Sequence, residues 1–141
     1  MKRLVLIGVV LLFLAGCQDQ SGENAGNEDV YEETASTEIL PDFLEYYPDN
    51  IANLYQGIPE FKEVLEELPS YDSNGNVGQL DNLYQSFIYE EEEDGAIVWN
   101  DHGARCNPCI DSAAYSIEAS QNGKSIEEIR ETVIRQYGDG S

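Results

Sequence analysis

Residues 96–109 read AIVWNDHGARCNPC, and this stretch passes from a strand into the first turn of a helix. The β-branched and aromatic side chains of its first four residues favour a strand, and the Asp94-Gly95 pair just before them is a hairpin turn signal. We therefore expect Ile88 to Trp99 to form a strand pair. Pro108 suits the first position of the helix that follows. A hairpin that leads directly into a helix indicates a fold with both α and β structure.

Apolar residues at helical spacing predict further helices on both sides of this stretch. One helix is expected around residues 51–55, a second over residues 60–68 and a short third near residues 80–87. A fourth helix should cover residues 108–121, and a capping box of Ser125 with Glu128 should open the last one. The inward residues predicted for these last two helices are Ile110, Ala113, Ala114 and Ile117, and Ile126, Ile129, Val133 and Ile134.

These elements together predict a mainly α fold with a short β-hairpin, which is an α+β fold. The predicted boundaries place one small globular domain at residues 38–138 and a tail at residues 139–141. A chain of this length has room for one domain and a tether.

The N-terminus has the features of a bacterial lipoprotein signal. Lys2 and Arg3 precede an apolar run, and Leu14-Ala15-Gly16-Cys17 then forms a lipobox. The run from residue 4 to residue 14 would rise only about 16 Å as a helix, which is too short for a roughly 30 Å hydrocarbon core. We expect residues 1–16 to be a signal peptide and Cys17 to carry the lipid.

Residues 17–37 are expected to form a flexible, disordered tether after the lipidated Cys17. This segment consists almost entirely of Gly, Asn, Ser, Thr and acidic residues, and it cannot bury enough apolar surface to order itself. The predicted location is therefore extracytoplasmic, at the outer face of the bacterial cell membrane, with the membrane as a partner through the lipid anchor.

The charge of the chain excludes one class of partner. Removal of residues 1–16 leaves five cations against 28 acids, a net charge of −23. Nucleic-acid binding depends on cationic contacts to phosphates, so we expect no nucleic-acid partner. The chain is expected to be a monomer, and its pattern identifies no particular protein partner.

Cys106 and Cys109 form the most specific local motif, a CxxC at a strand-to-helix junction. Because the expected compartment is oxidising, one interpretation is a short disulfide. A second is a soft-metal site for copper or zinc, since His102 lies four residues before Cys106. In that case Asp101 would supply an oxygen ligand or orient the imidazole.

A third interpretation of the CxxC motif is thiol–disulfide redox chemistry. Only 32 residues follow Cys109, and none of them is a proline. A thioredoxin domain needs more strands and a cis-proline loop after this point, so the sequence does not favour an enzyme. Ser, His and Asp residues occur, but no nucleophile motif accompanies them, and no catalytic residue is predicted.

The segment from Asp72 to Asn76 is similar to the start of an EF-hand loop. It departs from that pattern where position six is Val77 instead of Gly and where position twelve is Leu83 instead of Glu. A turn rich in Asn and Gly is the simpler interpretation.

Three blocks carry a resemblance to a known family: Trp99 to Gly103 (WNDHG), the CxxC motif, and Gly123 to Arg130 (GKSIEEIR). Together they resemble the PCYCGC-motif lipoproteins of Bacillus and relatives, over roughly residues 39–137. The chain resembles a divergent member that lacks the cysteines of the motif. Where the family has that motif, this chain reads Pro69-Ser70-Tyr71-Asp72-Ser73-Asn74.

The resemblance also implies which thiols have been replaced. Ser70, Asp72 and Asn74 stand at the three motif cysteines, and Gln79 and Ser86 align with a downstream His and Cys. The Cys and His content of the family suggests soft-metal binding, of which this chain keeps His102, Cys106 and Cys109. The same comparison allows weak binding of a harder cation through Asp72 and its neighbours.

The leading hypothesis is a lipid-anchored extracytoplasmic lipoprotein with a non-enzymatic binding or accessory role. One alternative is a copper- or zinc-binding module that uses His102, Cys106 and Cys109. The second alternative is a CxxC redox protein.

Overall fold

The computed structural model describes residues 28–137. The predicted signal peptide, the lipidation site Cys17 and the tail at 139–141 lie outside these residues. The three strands are β1 (Tyr31–Thr34), β2 (Ile88–Glu91) and β3 (Ile97–Asn100). The five α-helices are α1 (Asp49–Gly57), α2 (Lys62–Glu66), α3 (His102–Arg105), α4 (Asn107–Gln121) and α5 (Ile126–Tyr137). Short 3-10 helices cover Asp42–Tyr46, Ile58–Phe61 and Tyr84–Ser86.

The strands form one antiparallel sheet in the order β1-β3-β2. The predicted hairpin is confirmed, because β2 pairs with β3 across a turn in which Gly95 has a φ of 94°. A glycine adopts this left-handed conformation without steric cost. The α+β fold class is confirmed as well, although the sheet has three strands instead of the two of a simple hairpin.

The third strand, β1, lies inside the segment predicted to be a tether. Tyr31 pairs with Asn100 and Thr34 pairs with Ile97, so β1 occupies the outer edge of β3. The indole nitrogen of Trp99 also donates a 2.8 Å hydrogen bond to the Thr34 hydroxyl. The prediction that the tether extends to residue 37 is therefore corrected. The composition of these residues is polar, and it is hydrogen bonding to β3 that orders them.

The core is built around the inner face of β3. Trp99 is fully buried beside Tyr55 and Phe87. The Tyr55 ring contacts the rings of Phe87 and Trp99. The Tyr55 hydroxyl donates a 2.6 Å hydrogen bond to the carbonyl oxygen of Asn100. Burial of each large apolar side chain contributes about 1.5–3 kcal/mol. This packing fixes the C-terminal end of β3, where the chain enters α3.

The predicted helices are present, but two of them differ from the prediction in length and in helix type. The segment predicted as one helix at residues 60–68 is a 3-10 turn followed by α2, and the helix near residues 80–87 is reduced to Tyr84–Ser86. Neither segment is long enough to sustain a regular α-helix by itself, so tertiary packing decides its geometry.

The inward faces of α4 and α5 also differ in part from the prediction. In α4, Ala113 is buried as expected, but Ala114 is exposed and Ser112 and Ser116 are buried instead. In α5, Ile129 and Val133 are buried, whereas Ile134 is 44% exposed. Small residues of α4 face the protein core because they permit close packing. The hydrophobicity pattern alone does not predict which small residues are buried.

The capping box of α5 is confirmed. The backbone N–H of Ser125 donates to the Glu128 carboxylate at 2.9 Å, and the backbone N–H of Glu128 donates to the Ser125 hydroxyl at 3.3 Å. Among residues 28–137, no helix has the length and apolar character needed to cross a membrane.

Candidate metal centre

The chain brings His102, Cys106 and Cys109 together over two consecutive helix starts. The Asn100 side chain accepts a 2.9 Å hydrogen bond from the backbone N–H of His102, which fixes the start of α3. Helix α3 ends after one turn, and Cys106 then adopts an extended conformation with φ −99° and ψ 100° as the N-cap of α4. His102 and both cysteines are therefore held on the same side of a short helix–helix corner.

The two cysteines are joined by a disulfide bond, with 5.1 Å between their Cα atoms. The Cys106 sulfur accepts a 3.2 Å hydrogen bond from the backbone N–H of Cys109, so it caps α4. Cys106 is 2% exposed and Cys109 is fully buried. The partial positive charge of a helix N-terminus favours thiolate over thiol whenever such a pair is reduced.

His102 contacts hydrogen-bond acceptors through both ring nitrogens. Its Nε2 donates to the backbone carbonyl of Tyr71 at 2.7 Å, and its Nδ1 donates to Asp29 Oδ1 at 3.1 Å. An imidazole satisfies two acceptors at once only as the doubly protonated cation. His102 and Asp29 form an ion pair only when both ring nitrogens carry a proton.

The ligand atoms of His102, Cys106 and Cys109 all lie within 4.8 Å of one another. Of the residues that the structure describes, these form the one group of three or more His, Cys, Asp and Glu side chains with metal-binding spacing. Their nitrogen and sulfur atoms are donors typical of sites for copper(I) and zinc.

The Tyr71 carbonyl oxygen lies between the three ligand atoms. Besides its contact with His102, it lies 3.3 Å from the Cys109 sulfur and 3.5 Å from the Cys106 sulfur. The next carbonyl, that of Asp72, lies 3.6 Å from the Cys106 sulfur. An ion bound by the three side chains would take the place of these carbonyl contacts.

Asp101 does not play the role that the sequence predicts for it. Its carboxylate accepts hydrogen bonds from Arg105 Nε and Nη2, each at 3.0 Å, and from the backbone N–H of Val30 at 2.7 Å. The carboxylate that contacts the imidazole belongs to Asp29 instead. Sequence reasoning missed Asp29 because it lies 73 residues before His102, inside the predicted tether.

Asp72 uses its carboxylate within its own turn. Asp72 Oδ1 accepts hydrogen bonds from the backbone N–H groups of Asn74 and Asn76 at 2.8 and 3.0 Å, and Asp72 Oδ2 accepts one from the Asn76 side-chain amide at 3.1 Å. The side-chain hydrogen bond from Asn76 is the main reason that the pKa of Asp72 is lowered. The carboxylate is engaged within its own turn, and weak binding of a hard cation through Asp72 stays a prediction.

Ser70 and Ser86 form a separate buried pair. Their hydroxyl oxygens lie 2.9 Å apart, and the two residues are at most 1% exposed. This hydrogen bond ties the loop after α2 to the 3-10 turn before β2. It lies outside the His102, Cys106 and Cys109 group.

His102 also borders a surface cleft of about 690 Å³. Three acidic side chains line it, together with two tyrosines whose rings contact each other at 4.8 Å between centroids. Such a lining attracts cations. The lining residues are Glu28, Asp29, Tyr31, Asp72, Gln79, Leu80, Tyr89 and His102.

A family model described as "Protein of unknown function with PCYCGC motif" matches residues 5–141. The chain belongs to this PCYCGC family. No curated protein and no solved structure matches it. The family description assigns no activity, so the function of this PCYCGC protein has to be argued from its own site.

Residues 69–74, which the sequence resemblance aligns with the family motif, lie directly against the cystine. The carbonyl groups of Tyr71 and Asp72 face the two sulfur atoms, while Ser70 turns away to meet Ser86. The structure therefore brings residues 69–74, where the chain departs from the family motif, against residues 99–109, which carry part of the resemblance.

Proposed function

We propose that this protein is a lipid-anchored extracytoplasmic lipoprotein of non-enzymatic role, whose domain binds a soft metal ion. Its ligands are His102, Cys106 and Cys109 in the reduced state. The lipobox supports the location, and the approach of three ligand atoms to within 4.8 Å supports the metal site.

Two thiolates and one imidazole suit copper(I) better than structural zinc. Thiolate ligands are soft and select copper(I), whereas a closed structural zinc site takes four protein ligands. Of the described residues, only three belong to this group. Zinc would need a water or a backbone oxygen in the fourth position, and copper(I) is therefore the preferred ion.

The disulfide and the metal-bound form are alternative states of the same residues. A metal ion requires deprotonated thiolates as ligands. Reduction of the disulfide takes two electrons and two protons from a dithiol reductant, which itself becomes a disulfide. Ion binding then releases the two thiol protons of Cys106 and Cys109, and it requires Nε2 of His102 without a proton.

Burial of the cystine favours binding over redox catalysis. Thiol–disulfide exchange requires a thiolate to attack one sulfur directly, so its rate depends on access to that atom. Cys106 is 2% exposed and Cys109 is fully buried. The redox alternative would require this corner to open in every catalytic cycle, whereas metal binding requires it to open only for the initial reduction.

A metal titration of the full-length chain tests this proposal. The protein is purified in detergent without chelator, reduced anaerobically with a dithiol, and titrated with copper(I) against bicinchoninate, a competing chelator. One copper per chain is expected, and the Cys106→Ser, Cys109→Ser double variant should lose it. Cys17→Ser is the matched control, because it removes the third cysteine of the chain and leaves all three proposed ligands unchanged.

The results separate the candidate functions. Equal copper binding by the double variant would refute the metal proposal. Disulfide reductase activity that disappears in either single Cys→Ser variant would instead support the redox alternative.

Anchoring is tested separately by fractionation of cells that make the wild type or Cys17→Ala. We expect the wild type in the membrane fraction with incorporated radioactive palmitate, and the variant without the label. Equal labelling of both proteins would contradict lipidation at Cys17.

A further inference from the structure

The segment of residues 28–34, here called the strap, is held directly against the candidate site. The backbone of Val30 makes two hydrogen bonds with Asp101, one to its carboxylate at 2.7 Å and one from its backbone N–H at 3.0 Å. Strand β1 then continues the strap along β3. These contacts fix the backbone immediately after Asp29, the residue that approaches His102.

We infer that Asp29 is a positioning residue for metal binding by His102. This inference rests on the proposed function. Asp29 Oδ1 accepts from His102 Nδ1 at 3.1 Å and from Arg105 Nη2 at 2.8 Å. The side chains of Asp29 and His102 are about one-fifth exposed, so solvent screens their contact only in part.

The Asp29 contact selects which imidazole nitrogen meets the ion. With Nδ1–H bound to a carboxylate, Nε2 is the nitrogen left for the metal, and Nε2 is the atom on the Tyr71 side beside the sulfurs. A carboxylate on the second imidazole nitrogen fixes ring orientation and raises ligand basicity. Loss of such a partner lowers metal affinity by roughly 10- to 100-fold.

The strap therefore contributes to ligand geometry from the N-terminal edge of the domain. Metal affinity and strap docking are then coupled, and a coupling between two binding equilibria acts equally in both directions. An ion at His102 should strengthen the contact of the strap with α3.

The first measurement compares copper(I) affinity in full-length variants, with bicinchoninate as the competing chelator. Asp29→Asn should bind copper(I) roughly 10- to 100-fold more weakly than the wild type, and Asp29→Glu should recover part of the loss. Glu33→Gln is the matched control, because it removes one negative charge from an exposed position of the same strap. It should keep wild-type affinity.

The second measurement detects positioning independently of affinity. The chain has one histidine, so its ¹⁵N ring signals identify His102 without assignment. Metal-bound wild type should show a protonated Nδ1 and a deprotonated Nε2, whereas Asp29→Asn should show a mixture of the two tautomers. A purely structural role of Asp29 would leave the tautomer unchanged.

Wild-type affinity together with an unchanged tautomer in Asp29→Asn would overturn the inference. So would an equal loss of affinity in Glu33→Gln, because the effect would then be one of general charge. If the wild type binds no copper, the proposed function fails. The ¹⁵N signals of metal-free protein then still test the contact between Asp29 and His102, since Asp29→Asn should shift the Nδ1 signal.

Discussion

The two walls of the candidate site are stabilised in different ways. One, the sulfur wall, consists of residues 102–109, and its cysteines are buried parts of the hydrophobic core. The other, the facing wall, consists of the strap and the loop of residues 70–78. Its Tyr71 side chain is buried in the core, but most of its other residues are polar and are held by hydrogen bonds.

This difference separates the ligands from the groups that orient them. All three candidate ligands belong to the sulfur wall, where close packing limits their movement. Asp29 and the Tyr71 carbonyl, which orient His102, belong to the facing wall. We expect changes in the core to disturb the whole site, and changes in the facing wall to alter the contacts of His102 while the fold persists.

Trp99→Ala should have the largest effect, because β3 supports both walls. The substitution leaves a cavity in the core and removes the hydrogen bond to Thr34 in the strap. We expect the free energy of unfolding to fall by about 3–5 kcal/mol in chemical denaturation. Tyr46→Ala, at an 87% exposed position, should change it by less than about 0.5 kcal/mol. Similar losses in both variants would contradict the assignment of Trp99 to the shared core.

Gly103→Ala should disturb the sulfur wall selectively. A Cβ atom at this position would overlap the Phe87 ring and lie 2.7 Å from the Ser86 carbonyl oxygen. We expect a loss of about 2 kcal/mol in thermal or chemical unfolding, because α3 has to shift. Gly57→Ala is the control, since its nearest neighbour would be 3.9 Å away, and it should be neutral or stabilising. If both variants unfold at the same temperature or denaturant concentration as the wild type, Gly103 is packed less tightly against Phe87 and Ser86 than the structure shows.

Ser70→Ala should weaken the connection between the facing wall and the 3-10 turn. The change leaves the buried Ser86 hydroxyl without its hydrogen-bond partner, which costs roughly 1–2 kcal/mol of unfolding free energy. The Ser70→Ala, Ser86→Ala double variant should lose less than the sum of the two single losses, because it removes both polar groups. Additive losses in denaturant unfolding would show that the two hydroxyls act independently.

Acidification should break the hydrogen bonds that the Asp72 carboxylate accepts in its turn. Of the changes considered, this one should affect the stability of the fold least. The hydrogen bond from Asn76 lowers the pKa of Asp72 from its ordinary value of 3.8. Stabilisation by this carboxylate is therefore complete above pH 3.8 and is lost as the pH falls through the lower, folded value. The amide NMR signals of Asn74 and Asn76 should move in that acidic range, and Asp72→Asn should remove the transition. A transition above pH 3.8 would contradict the lowered pKa.

Local patterns in the sequence predicted most of the sulfur wall. The Asp94-Gly95 turn, the strand ending at Trp99 and the helix after Pro108 all depend on neighbouring residues, and the structure contains each of them. The spacing of His102, Cys106 and Cys109 likewise indicated a possible ligand group. The inward positions of Ala114 and Ile134 were predicted wrongly, because periodicity gives a helical face only approximately and packing chooses the residues that are buried.

The sequence by itself determined the α+β class, the family and the three candidate ligands, because each is encoded by residues close together in the chain. Only the tertiary structure decided that residues 31–34 form a strand and that Asp29 contacts His102. The strap has no apolar pattern to reveal its position. Its order comes from hydrogen bonds to residues about 70 positions later, and local sequence does not record such contacts.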